Sequence, residues 1–193
     1  MIPWSETVWV FVVRNAGEFC EDGIDVVNTR FRRNPRLRFR HTLGVMDNER
    51  IREICMALPH VTETLNWGHH LVYFVGDRDI GGKMFAMTDV DGTGFGVLWF
   101  HCGAERFHEL LEVEGISASP YLAKAHWVTV DRWDVLRPKH IEDELRRAHG
   151  LILEKLPKRT RTVLAMPEKE RTKVIRERKK VLAARLKAKK EKR

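Results

Sequence analysis

A chain of 193 residues, 43% of them hydrophobic, has room for one domain with a packed core plus tails. Its formal net charge of +8 points toward a polyanionic partner such as nucleic acid, but the charge is unevenly placed. Residues 168–193 hold thirteen Lys/Arg against four Glu and residues 1–46 seven Arg against five acids, whereas residues 47–167 hold fifteen basic and eighteen acidic residues. Three cysteines without a CxxC exclude a zinc ribbon and a thioredoxin-like motif, and no apolar run approaches the roughly 20 residues of a membrane span.

Residues 1–45 begin with a brief apolar run, Trp9-Val10-Phe11-Val12-Val13, which has no basic flank before it and an acidic, polar stretch after it, and so does not read as a signal peptide. The segment Arg30-Phe31-Arg32-Arg33-Asn34-Pro35-Arg36-Leu37-Arg38-Phe39-Arg40 interleaves arginine with aromatics. Met46 directly precedes a well-formed helix start. The expectation is therefore that 1–45 is an extension outside the domain, disordered or an over-extended start, with a nucleic-acid arm as the alternative.

Asp47 can cap a helix whose first turn holds Glu49. Ile51, Ile54, Cys55 and Leu58 form its apolar stripe, and Pro59 ends it. A short strand over 62–67 is followed by an alternating one over 70–75, a turn over 76–79, a strand over 83–88, a second turn over 89–94, and a nearly all-apolar strand over 95–102 that reads as central. Strands this close together argue for an antiparallel meander. A helix over 104–113 turns Phe107, Leu110 and Leu111 inward. Residues 126–131 then alternate strictly, with His126, Val128 and Val130 on one face and Trp127, Thr129 and Asp131 on the other. Pro138 opens a last core helix with the stripe Ile141, Leu145, Ala148, Ile152 and Leu156, which Gly150 weakens by about 1 kcal/mol and Pro157 stops. Beyond Pro167 the chain is charged and helix-prone, with only Ile175, Leu182 and Leu186 as a thin stripe.

The stretch Tyr121-Leu122-Ala123-Lys124-Ala125-His126-Trp127-Val128-Thr129-Val130 resembles the signature of the MmcQ/YjbR family, small bacterial proteins labelled DNA-binding. Leu58-Pro59, Gly82-Lys83-Met84-Phe85-Ala86 and Leu156-Pro157-Lys158 agree with it in order. The resemblance covers about residues 47–160. It implies an α+β domain of frataxin-like (CyaY-like) architecture, an antiparallel sheet with helices packed on one face, and DNA as partner. The expected organisation is an extension at 1–45, the domain at 46–160 and a basic, helix-prone tail at 161–193.

Metal and catalytic chemistry find little support. His69 and His70 are adjacent, and neighbouring strand residues point to opposite faces; His101, His108 and His126 are far apart in sequence. Frataxin-like proteins bind iron through an acidic ridge, yet here Asp47, Glu49 and Glu53 are mixed with Arg50 and Arg52. Ser117 and Ser119 lack a nucleophile elbow, and Gly81-Gly82-Lys83 lacks Walker spacing. No metal, no cofactor and no enzymatic activity are expected.

The stronger feature is the mixture of aromatic and basic residues on strands. Trp67, Tyr73, Phe85, Trp99 and Trp127 cannot all enter one core, and a sheet covered on one side leaves the other partly open. Aromatics there could stack on bases while Lys83, Lys124 and His126 meet phosphates; alternatively the Trp residues fill a second layer. The candidate contact set is Lys83, Lys124, His126 and Trp127, joined by Lys158 and Arg159 after the last core helix. Cys55 and Cys102 read as reduced core thiols of a cytosolic protein. The expected function is non-enzymatic, cytoplasmic DNA binding through the basic tail and the aromatic/basic sheet face. The alternative is a small-molecule or protein-binding module on that face, with the tail incidental.

Overall fold

The computed structural model describes residues 46–92 and 95–191. The expectations for 1–45, including the apolar run and the arginine-rich segment, lie outside the described residues.

Asp47, with extended backbone, accepts the Arg50 amide at 2.8 Å and so caps α1 (Asn48–Met56). Ile51, Ile54 and Cys55 are buried, as their spacing requires. Then come β1 (Val61–Asn66), β2 (His70–Val75), a 3-10 turn at Arg78–Ile80, β3 (Lys83–Asp89) and β4 (Leu98–His101). Helix α2 (Gly103–Leu111), β5 (Ile116–Ala118), a second 3-10 turn at Ala123–Ala125 and β6 (Trp127–Val130) lead to α3 (Pro138–Glu154), α4 (Lys158–Leu164) and α5 (Glu168–Glu191). The described residues thus form an α+β fold with a six-stranded antiparallel sheet in the order β1-β2-β3-β4-β6-β5.

Register explains the core. Tyr73, Ala86, Phe100 and Val128 stand opposite one another across four neighbouring strands. They share one core with Ile51, Ile54 and Cys55 of α1 and Ile141, Leu145, Ala148 and Ile152 of α3. The row facing the other way is Val72, Met87, Trp99 and Thr129. A register shift between Tyr73 and Phe74 lets Phe85 join the core as well. The His149 ring donates from Nε2 to the Pro59 carbonyl at 2.9 Å, which fixes α3 to the chain leaving α1. Arg106 of α2 reaches the buried Glu144 of α3, Nη2 to Oε1 at 2.6 Å, and pairs also with Glu109.

Three boundaries differ from the sequence reading. The strand expected over 95–102 shrinks to Leu98–His101, because Phe95 is 93% exposed and belongs to the preceding loop. Strand β5 was not anticipated: only Ile116 of its three residues is buried, so no alternation announces it. The domain edge placed at 160 falls inside α4. Thr160 donates to the Ile80 carbonyl at 2.7 Å, and Leu164 enters the core. The most basic part of the tail, residues 168–191, is one helix, α5, with no buried residue. It is held at the Arg78–Ile80 turn by Lys179 Nζ, 2.9 Å from Asp77 Oδ2, and by Arg178 Nε, which donates to the Asp79 carbonyl at 3.4 Å. No described helix is long and apolar enough to cross a membrane.

The same turn sets up β3. The Gly82 amide donates to the Asp77 carbonyl at 2.9 Å, and a Cβ at Gly82 would lie 2.3 Å from the Gly76 carbonyl oxygen. That neighbour is backbone and has no rotamer with which to yield. Gly82→Ala should therefore lower stability by about 1–3 kcal/mol in urea denaturation; an unchanged midpoint would show that the turn opens at no cost.

Candidate functional site

The alternation read over 126–131 begins one residue late in the structure, because His126 is not a strand residue. Its φ of 57° and ψ of 49° are left-handed, and its amide closes the 3-10 turn by donating to the Ala123 carbonyl. Lys124 and His126 therefore lie on a turn, and the strand starts at Trp127. Six alternating residues cannot by themselves distinguish a strand from a turn leading into a shorter one.

This backbone presents the His126 carbonyl to the end of β4. It accepts the Cys102 amide at 3.0 Å, His101 Nδ1 at 3.2 Å and the Cys102 thiol at 3.2 Å. With Nδ1 donating to a carbonyl, His101 Nε2 is left as an acceptor, and it meets Lys155 Nζ at 3.0 Å. Lys155 is the C-cap of α3, and its own carbonyl accepts from Lys83 Nζ at 3.0 Å. A cation beside the last carbonyls of a helix is favoured by the helix dipole. Lys83, Lys155, His101 and His126 thus form one chain of contacts at the end of the sheet, with the Phe107 ring edge-on to that of His126 at 5.4 Å.

The electrostatics follow from burial. His101 is 3% exposed, and burial together with the Lys155 ammonium lowers its pKa to about 4, so the ring is neutral near pH 7. Burial and the neighbouring Lys155 also hold the Lys83 ammonium below the ordinary lysine range. Burial pushes the Cys102 thiol up to about 11, which leaves it unreactive.

Trp127 lies beneath this chain. Its ring stacks on His101 with centroids 6.2 Å apart and planes at 24°, and the residue is 4% exposed. It supports His101 from below and offers no surface to a base. The expectation of aromatics on an open face fails in the same way at Trp99, 6% exposed, and Phe74 is equally buried. The His70 ring meets Trp99 edge-on at 5.2 Å, and the Arg78 guanidinium lies 5.7 Å over the Phe74 ring. Among the described residues the exposed aromatics lie instead in loops: Trp67, Phe95 and Tyr121.

The fold thus joins Lys83, His126 and Trp127 of the expected set through two residues outside it, His101 and Lys155. Lys124 is exposed two residues before His126; Lys158 and Arg159 are exposed in the first turn of α4, just after Lys155. His101 has no local sequence signal, since a strand-end histidine is ordinary; Lys155 is marked in the sequence only as one of the basic cluster Lys155, Lys158, Arg159 and Arg161 at the end of the last core helix. The face argument at His69 and His70 does not hold either. His69 precedes the strand, and the two ring centroids are 4.3 Å apart. Among the described residues, no three His, Cys, Asp or Glu are grouped to hold a metal ion.

Residues 56–151 match the family model YjbR. The crystal structure of the Deinococcus radiodurans protein DR2400, with a DUF419 domain, matches with a TM-score of 0.55 at 29% identity, over 64% of this chain and 91% of that one. No curated protein matches the chain.

Two outcomes follow from this geometry. Trp127→Ala should cost about 3–5 kcal/mol in chemical denaturation, as for an aromatic in a packed layer; a loss under about 1 kcal/mol would return Trp127 to the surface. His101 binds its proton less readily folded than unfolded, where its pKa is near 6.5. The unfolded chain therefore takes up the proton first as pH falls. The stability due to neutral His101 is complete above pH 6.5 and is lost progressively toward pH 4. The drop in unfolding free energy across that window should be smaller in His101→Gln than in the wild type, and equal drops would show that His101 ionises freely in the fold.

Proposed function

The chain belongs to the MmcQ/YjbR family, and on that footing we propose that it is a cytoplasmic, non-enzymatic protein that binds DNA through the phosphate backbone. One observation carries this reading. Helix α5 is a 24-residue helix without a buried residue, and every residue from 183 to 191 is exposed. A helix rich in Lys, Arg, Ala and Glu forms on its own propensity, but cations packed this densely repel one another and favour a polyanion that releases its counterions to them. Arg171, Arg178 and Lys179 contact the domain, so the docked half orients the helix and the outer half faces solvent.

The second cationic feature is the Lys83–Lys155 pair, continued along the chain by Lys158 and Arg159. These contacts are to phosphate and carry no sequence information. Base stacking by Trp127 forms no part of the proposal. The alternative of a ligand-binding module on an open sheet face has weaker support, because Val72, Phe74, Met84, Trp99 and Trp127 are all buried. The cytoplasmic assignment draws on the two buried free thiols, Cys55 and Cys102. The non-enzymatic assignment draws on a raised thiol pKa at Cys102 and on a His101 ring occupied at both nitrogens.

Ending the chain after Lys180 removes Arg185, Lys187, Lys189, Lys190, Lys192 and Arg193 and keeps the Asp77 anchor. At about −0.9 per phosphate neutralised, the slope of log affinity against log salt on duplex DNA should flatten by up to about 5. A truncated chain with the full slope would move the contact to Lys83, Lys155, Lys158 and Arg159. Absence of binding by the full chain near physiological salt would refute the DNA reading.

A further inference from the structure

We propose that Tyr121 is a stacking platform for an unpaired base, and that the nucleic acid bound in preference is therefore single-stranded; this rests on the nucleic-acid reading above. Tyr121 is 99% exposed, so its ring contributes nothing to the packing of the domain. Its φ of 62° is left-handed. That conformation is costly for a bulky side chain and free of penalty for glycine. A tyrosine that packs on nothing and occupies a strained backbone position is not explained by the fold, and strain of this kind gathers at binding sites.

The stem under the ring is rigid. The Ser119 amide donates to the Trp127 carbonyl at 3.0 Å, the Leu122 amide to the Ser119 carbonyl at 3.2 Å, and the Trp127 amide to the Leu122 carbonyl at 3.3 Å. Leu122, the next residue, is buried. A ring held out on a fixed stem loses little freedom when a base covers it. The exposed Lys124 lies three residues on, within about 11 Å by chain length, on the same turn. That turn ends at His126, whose carbonyl ties it to His101 and through it to Lys155. An exposed aromatic face with a lysine on the same turn suits an unpaired nucleotide, which needs a surface for the base and charge for its phosphate. A duplex keeps its base faces covered by stacking and exposes base edges and backbone, neither of which is a surface on which a ring can stack. Of the other exposed aromatics, Trp67 already has the His70 ring edge-on at 6.1 Å.

The test uses the full chain with an oligothymidylate carrying a fluorescent purine analogue, and with a duplex of equal length, at one salt concentration. The wild type should bind the single strand more tightly and alter the analogue's fluorescence on binding. Tyr121→Ala should weaken the single strand roughly 5- to 150-fold, the range for one stacked base, and leave the duplex affinity and salt slope unchanged. Tyr121→Phe should behave as wild type. Tyr121→Gly should lose single-strand affinity while its melting temperature holds or rises, since the backbone strain is relieved. Wild-type affinity of Tyr121→Ala for the single strand, or an equal loss on both probes, would overturn the proposal while leaving backbone binding intact. A Tyr121→Ala chain that changes oligomeric state in sedimentation instead would assign the ring to a second copy of this chain and overturn it too. Binding of neither probe by the wild type would sink the nucleic-acid reading itself.

Discussion

The His126 carbonyl oxygen receives three donors, the Cys102 amide at 3.0 Å and His101 Nδ1 and the Cys102 thiol each at 3.2 Å, and much of the local order follows from that convergence. It exists because His126 is left-handed, which closes the 3-10 turn and aims the carbonyl across to β4. Two of the donors belong to Cys102, the N-cap of α2, which has no capping side-chain bond of its own; the thiol gains a partner here instead. The third fixes the tautomer of His101 and so decides that its other nitrogen accepts from Lys155. The end of β4, the start of α2, the end of α3 and the turn before β6 are thereby held to one another.

Charge is divided between the parts in a way that serves both. The segment 47–167 carries more acids than bases, and some of those acids make specific contacts. Arg52 is bound by Glu63, with Nη2 2.6 Å from Oε1, which links α1 to β1. Asp77 and Asp79 hold Lys179 and so orient the cationic helix. Exposed pairs like these add little stability singly. Their effect is geometric, since they determine which half of α5 lies against the domain and which half faces water.

Elements with a strong period and a clear stop were legible in the sequence. Asp47 and Pro59 bracket α1, Pro138 and Pro157 bracket α3, and the stripes between them are the residues that enter the core. Strand β2 was placed by alternation, and β1 and β3 as short segments set off by turn residues. What was not legible depends on contacts made across the fold. Strand β5 exists because β6 offers it a partner, and α4 belongs to the domain because Thr160 finds the Ile80 carbonyl. At the candidate site, the family motif led to His126 and Trp127 but could not show that one faces a strand end and the other lies beneath a neutral histidine. His101, which joins the site, has no pattern around it, and Lys155 was legible only as one of a cluster of basic residues at the end of α3. Tyr121 stood in the motif, and only its exposure and backbone angle set it apart from its neighbours.

Among the described residues the sheet ends at two edges, β1 and β5. Exposed edges invite strands of other chains to add, and this is most dangerous where copies are crowded. On the proposed function, copies gathered along a polyanion would be crowded in this way. Here β5 offers only three residues before Pro120 interrupts the backbone donors, and β1 carries Thr62, Glu63, Thr64 and Asn66 along most of its length. Both edges are therefore poor templates for cross-β growth, which suits the sheet to high local concentration without fibril formation.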